Sequence, residues 1–348
     1  MIIKNAKAAI LIEQKKPLII DSIQFPINLE IGQVLVKILY SGICGSQIGE
    51  IDGVKGKDNY LPHLLGHEAS GIVEDVGPGV KSVKKSDHVV LHWKKGHGIE
   101  SDNPRYTWQK NPLNAGLVTT FNEWGIISEN RLTAIPKNIC LKQAALYGCA
   151  VTTGFGVIQN EAKAKIGDSV VICGAGGIGL NMIQAAKIAG CYPIIAIDKY
   201  ENRLNLALEI GATHIINSQN SSVEDQINAI LNNDSIDIFI DNTGIPKFIE
   251  MAYKITPSNG KIILVGVPSS DSAININTLP LHFGKLLIGS HGGSTNPTID
   301  IPKLMKVQTN GIFNLEKILT KEYKLEEINI AIQEMRTGIL SGRALICF

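Results

Sequence analysis

Two cysteines and a histidine carry donor atoms of the right softness for a zinc ion. Cys44 stands in Gly42-Ile43-Cys44-Gly45-Ser46, His67 in Gly66-His67-Glu68-Ala69, and Cys149 in Gly148-Cys149-Ala150-Val151-Thr152-Thr153-Gly154. Two thiolates and one imidazole leave a tetrahedral position open, which is the pattern of a metal that does chemistry rather than one that holds a fold. That position takes a water or an alcohol oxygen, and a Lewis acid beside an alcohol favours loss of its proton. Each residue also has a plain structural alternative: His67 as a hydrogen-bonded core histidine, Cys149 as a small buried hydrophobe, Ser46 as a turn residue.

A hydride acceptor is suggested a little further on. Val170-Val171-Ile172-Cys173 runs into Gly174-Ala175-Gly176-Gly177-Ile178-Gly179, which satisfies G-x-G-x-x-G. Gly174 permits the tight turn, Gly176 the approach of a pyrophosphate to the backbone, and Gly179 close helix–strand packing. The pyrophosphate would rest on the free N–H groups of the helix that starts at Gly177. The next apolar run, Ile194-Ile195-Ala196-Ile197, ends in Asp198, 19 residues beyond Gly179. An acid at that distance suits the adenosine ribose hydroxyls. It would repel a 2′-phosphate, so NAD is expected over NADP, although Arg203 lies near enough to meet a phosphate. A metal that activates an alcohol beside such a site points to alcohol oxidation or its reverse.

These residues need a scaffold of two kinds. The chain has 348 residues, 44 % hydrophobic and 19 % charged, with a formal net charge of +1. That suits a two-domain globular protein acting on a small molecule, with no global charge to draw it to nucleic acid or a membrane. Residues 1–150 show short apolar runs cut by Gly, Pro and Asp, which reads as a β-rich domain with strands at 1–7, 34–40 and 71–77 and a long loop or lobe over 88–118. From 151 to 290 strands at 169–173, 193–197, 236–240 and 261–265 alternate with helices at 177–189 and 201–210. This predicts an α/β, doubly wound parallel sheet. The tail from 291 returns to the first domain, with a helix near 326–337 and a last strand at 343–348. The N-terminus lacks the features of a signal peptide, and the six cysteines are expected reduced, in the cytoplasm.

Taken together, Cys44, Gly66-His67-Glu68, the Gly174–Gly179 turn and Asp198 resemble the zinc-dependent medium-chain alcohol dehydrogenase family across nearly the whole chain. The resemblance implies a GroES-like catalytic domain, 1–150 completed by 291–348, around a Rossmann dinucleotide-binding domain at 151–290. It implies Cys44, His67 and Cys149 as zinc ligands. Glu68 would be a second carboxylate near the metal, able to orient His67 or enter the coordination sphere, and Ser46 the hydroxyl that takes the alcohol's proton. Thr153 and Ile178 would pack on the nicotinamide, Val267 would also contact the cofactor, Arg343 would contact the pyrophosphate, Arg203 the adenosine ribose, and Trp93 would narrow the substrate pocket. The implied substrate is a small polar alcohol, aldehyde or ketone, with a sugar derivative among the candidates. A homodimer or homotetramer is expected. Two readings compete: a zinc-free quinone or enone reductase on the same fold, and a nucleotide-binding protein without catalysis.

The chain also departs from the family's pattern. No cysteine occurs between Cys44 and Cys140, so a structural zinc held by four close cysteines cannot form and one zinc per chain is expected. Gln47 replaces a frequent Asp, and Gly49 stands where a relay histidine is common. Residues 93–115 must then be ordered by packing of Trp93, Tyr106 and Trp108 or by a neighbouring subunit. They are expected to close one side of the cleft, with Trp93 facing the substrate and Lys94, Lys95, His97, Arg105 and Lys110 making its mouth basic.

Overall fold

A computed structural model describes residues 4–220, 222–232 and 234–348. Three sheets organise them. A six-stranded parallel sheet runs His214–Asn217, Ile194–Asp198, Val170–Cys173, Ile238–Asp241, Lys261–Leu264, Leu286–Gly289. Counted along the chain this is the order 3-2-1-4-5-6, so the crevice where a dinucleotide lies opens at the carboxyl ends of the first and fourth strands. Val170–Cys173 is buried along its length, as an apolar run covered by helices on both faces must be. Its turn depends on glycine. Gly174 has φ +101°, and a Cβ on Gly179 would collide with the Gly174 carbonyl oxygen, so only glycine lets the helix Gly177–Ile188 start so close to the strand.

The other two sheets are mixed or antiparallel and carry the metal-ligand candidates. One has seven strands. Its path is Leu132–Ile135, His88–His92, Glu68–Val76, Gln33–Gly42, Arg343–Cys347, Leu319–Lys324, with Trp124–Ser128 also paired to Gln33–Gly42. The other has five: His63–Leu64, Asn5–Leu11, Ile19–Gln24, Tyr106–Trp108, Asn111–Leu113. The strand expected at 1–7 is Asn5–Leu11; residues 1–3 lie outside the described residues. Residues near the C-terminus thus sit beside a central strand of the N-terminal region, with Leu345 opposite Gly42.

The loop expected over 88–118 is corrected in two places. His88–His92 is an interior strand, paired with Glu68–Ile72 in a register that sets His92 opposite Glu68. Its five residues were overshadowed by the breakers that follow. Further on, Tyr106–Trp108 and Asn111–Leu113 form a hairpin that extends the five-stranded sheet. The Tyr106 ring is buried against Phe25 at 5.0 Å, its hydroxyl accepts from the Ile126 N–H at 2.7 Å, and Trp108 Nε1 donates to Asp21 at 2.7 Å. Packing within the chain therefore orders this segment. Among the described residues no helix is long and apolar enough to cross a membrane, and the cysteines are unpaired.

Candidate active site

The three ligand candidates arrive from separate elements. Cys44 is the residue before the helix Gly45–Ile51, and Cys149 the residue before the helix Ala150–Gly156. His67 follows Gly66, whose φ of +93° turns the chain into the strand Glu68–Val76. The Gln47 carboxamide oxygen accepts the Gly66 N–H and fixes that turn. The Cys44 and Cys149 sulfurs lie 4.0 Å apart, and these sulfurs and a His67 ring nitrogen all fall within 4.8 Å of one another. Two thiolates about 2.3 Å from one tetrahedral zinc stand about 3.8 Å apart. His67 Nε2 is buried and has no hydrogen-bond partner, a cost that a metal ion removes. The donor set and the orphaned nitrogen fit a zinc ion.

Charge at the cluster is uneven. Contact with the Cys149 sulfur, with Arg343 and His67 close by, holds the Cys44 thiol well below its usual range against the effect of burial. Cys149 is pushed up by the same neighbour and by burial.

Glu68 stands outside the group of converging donors in this structure. Its carboxylate is wholly buried and meets the Arg343 guanidinium at 2.6 Å, while its other oxygen accepts the Ala150 N–H at 3.1 Å. Burial pushes the Glu68 carboxyl up, and Arg343 opposes that shift. Arg343 is itself only 3 % exposed, and its side chain lies against Gly177 of the glycine-rich turn. Sequence reading placed Arg343 at that turn but missed its partner, since nothing in the spacing ties residue 343 to residue 68.

On the cofactor side, Thr153 is buried with its N–H on the Cys149 carbonyl at 3.0 Å, and Ile178 is half-buried one residue into the helix. Gly176 is open where a ligand backbone would approach: a Cβ there meets nothing within 4 Å. Val267 is 52 % exposed in the loop after Lys261–Leu264. Asp198 accepts the N–H groups of Ala175 (2.9 Å), Lys199 (2.8 Å) and Tyr200 (3.1 Å). Arg203 stands 3.8 Å from Asp198 but donates to the carbonyls of Leu340 (3.2 Å) and Met335 (3.4 Å).

Comparison with known proteins decides the lineage. Residues 30–137 match the alcohol dehydrogenase GroES-like domain and residues 177–309 the zinc-binding dehydrogenase model. Alcohol dehydrogenase 6 of Peromyscus maniculatus is 32 % identical, over 96 % of each chain. The class-2 isozyme 2 of Oryctolagus cuniculus is 31 % identical, over 96 % of each. The chain belongs to the zinc-type medium-chain alcohol dehydrogenase family. The crystal structure of benzyl alcohol dehydrogenase from Acinetobacter calcoaceticus superimposes with a TM-score of 0.90 at 27 % identity, covering 99 % of this chain and 100 % of that one. This dehydrogenase is therefore an oxidoreductase of that family, a β-rich GroES-like domain joined to a Rossmann sheet.

The cavity of the dehydrogenase differs from expectation. A space of about 700 Å³ opens beside His67. Residues 103–107 and 112–116 line it. Trp93 does not line this cavity. Its ring packs edge-on to His291 at 5.1 Å and against Gly292, which has φ +64° and no side chain to displace it. Of the basic residues expected at the mouth, Arg105 alone lines this cavity. Lys94 Nζ donates to the His291 carbonyl at 2.7 Å, Lys95 pairs with Glu100 at 3.5 Å, and Arg105 lies 3.9 Å from Glu30. The lining also holds Glu50, Asp58 and His63, which sequence reading missed: their spacing across a helix, a loop and a short strand matches no metal or catalytic motif.

Proposed function

We propose that this dehydrogenase moves a hydride between NAD(H) and a small polar alcohol or its carbonyl partner, with one catalytic zinc per chain. The observation that carries the reading is the convergence of Cys44, His67 and Cys149, with His67 Nε2 left without a partner and His67 also lining an open cavity. Zinc held by those three residues supplies Lewis acidity toward a substrate oxygen. The rest falls to the chain. Ser46, two residues after Cys44 and half-buried, takes the alcohol's proton. The turn at Gly174–Gly179 and the helix N-terminus at Gly177 receive the pyrophosphate. Thr153 and Ile178 hold the nicotinamide, and Val267 also contacts the cofactor.

NAD is favoured over NADP by the buried Asp198 carboxylate and by the engagement of Arg203 with two carbonyls of the C-terminal segment. Arg203 in that position has little left to offer a 2′-phosphate. The zinc-free reductase reading leaves the three converging donors and the orphaned His67 nitrogen without a purpose.

The experiment is metal quantification on unchelated protein, joined to an alcohol panel run with NAD and NADP in parallel. We expect one tightly held zinc per chain and NAD-dependent oxidation. Two tightly held zincs, or no turnover of any alcohol, would overturn the reading.

A further inference from the structure

We propose that Glu50 sets the charge of the substrate: this dehydrogenase selects alcohols whose far end carries a protonated amine and rejects their carboxylate counterparts. The inference rests on the alcohol dehydrogenase reading above and names the substrate class for that same cavity.

Glu50 and His67 line the same cavity. Its carboxylate is half-buried, and its hydrogen bond among the described residues comes from the neutral Gln47 amide at 3.2 Å. No cationic side chain pairs with it there. Its ionisable neighbours are Asp58 and His63, whose ligand atoms lie within 4.8 Å of its own. Those two satisfy each other. His63 Nδ1 faces the Leu64 carbonyl at 2.9 Å and Nε2 faces the Asp58 carboxylate at 2.7 Å. Glu50 is thus left beside a second carboxylate with no charged hydrogen-bond partner among the described residues. The other charged lining group, Arg105, is 81 % exposed at the rim and turned to Glu30 outside the cavity.

A second observation shows that the wall awaits a polar ligand. Thr119 lines the same cavity, is only 2 % exposed, and its hydroxyl has no hydrogen-bond partner. Native structures seldom leave such a group unpaired. A hydroxyl can donate or accept, so Thr119 fits a ligand with polar atoms along its length. Glu50 can only accept, so the group opposite it must donate, and a cation satisfies both its lone pairs and its charge. A carboxylate in the same place would meet like charge in a partly desolvated site, which is how binding sites reject a wrong partner.

The test compares alcohols of equal chain length ending in an amine, a hydroxyl or a carboxylate, by kcat/KM with NAD, at low and high salt. For the wild-type enzyme we expect the amine ahead of the diol and the carboxylate behind it, with about tenfold or more between the extremes and a gap that narrows as salt rises. Glu50→Gln should erase the amine preference, mainly through KM, and Glu50→Lys should reverse it. Thr119→Val should raise KM for amine and diol alike, while Thr119→Ser retains the hydroxyl and the wild-type KM. Oxidation of the diol without preference for the amine, or a preference unchanged in both Glu50 variants, would overturn the inference and leave the dehydrogenase reading standing. Failure to oxidise any alcohol, the diol included, would overturn that reading itself.

Discussion

The Arg343 guanidinium and the Glu68 carboxylate meet at 2.6 Å in a place from which water is excluded. Around them lie the Cys44 and Cys149 sulfurs on one side and the glycine-rich turn on the other; burial works against the charged guanidinium, but Glu68 and the two thiols hold it protonated, above its usual range. The pair belongs to neither half-site alone. It gives the metal cluster and the dinucleotide turn a common, charge-balanced floor. Removing one partner of a buried pair strands the other charge and costs about 3–5 kcal/mol. We expect Arg343→Gln and Glu68→Gln each to lower stability by that order, and the double variant to lose less than the two losses combined. Urea unfolding of the four proteins measures the coupling. Additive losses would show that the two groups do not act as a pair.

If Ser46 takes the alcohol's proton, Ser46→Ala should slow the chemical step on the order of 10²-fold. Zinc content should stay at the wild-type level. Single-turnover kinetics beside metal analysis separates the two readouts, and an unchanged chemical rate would remove Ser46 from the reaction.

Asp198→Ala should weaken NAD binding and narrow the gap to NADP. The same change deprives the Ala175, Lys199 and Tyr200 N–H groups of an acceptor, so Tm is followed alongside affinity. A wild-type preference for NADP by tenfold, about 1.4 kcal/mol, would contradict the assignment.

His92 predicts a pH dependence of stability. Its ring is buried, Nδ1 donates to the Lys94 carbonyl at 2.7 Å, and Nε2 accepts from the Thr133 hydroxyl at 3.0 Å. The neutral ring is fully satisfied, and burial pushes its pKa down to about 4. An unfolded histidine titrates near 6.5, roughly. Between these values the unfolded chain holds the extra proton, so this contribution to stability is present above about pH 6.5 and is lost on acidification toward pH 4, about 3 kcal/mol in all. His92→Gln should lower stability at neutral pH, and its deficit against wild type should shrink as pH falls. Denaturant midpoints across that range measure it, and a constant deficit would show that the ring does not stay neutral.

What the sequence disclosed follows a physical division. Cys44, His67, Cys149 and the Gly174–Gly179 turn were legible because metal ligation and phosphate approach demand particular residue types in particular local settings. The parallel sheet was legible from apolar runs such as Val170–Cys173, which allow little but a strand buried on both faces. Partnerships across the chain were not. Glu68 finds Arg343 because Arg343–Cys347 slots beside Gln33–Gly42, a pairing that no local pattern encodes. Trp93 turned to His291 rather than to the cavity because a glycine at 292 left room there. Glu50, Asp58 and His63 went unseen because each is an ordinary polar residue until the fold gathers them.

The strand Arg343–Cys347 also imposes an order on manufacture. About 300 residues separate it from Gln33–Gly42, its neighbour in the sheet. At 5–20 residues per second a ribosome needs roughly 15–60 s to cover that stretch. The parallel sheet, whose strands end at residue 289, can close within that interval, while the ligand-bearing region waits with a gap in its floor. A chain released before residue 343 would carry every zinc-ligand candidate yet lack the counter-charge for Glu68. Until that last strand seats, the buried Glu68 carboxylate has no guanidinium to offset it.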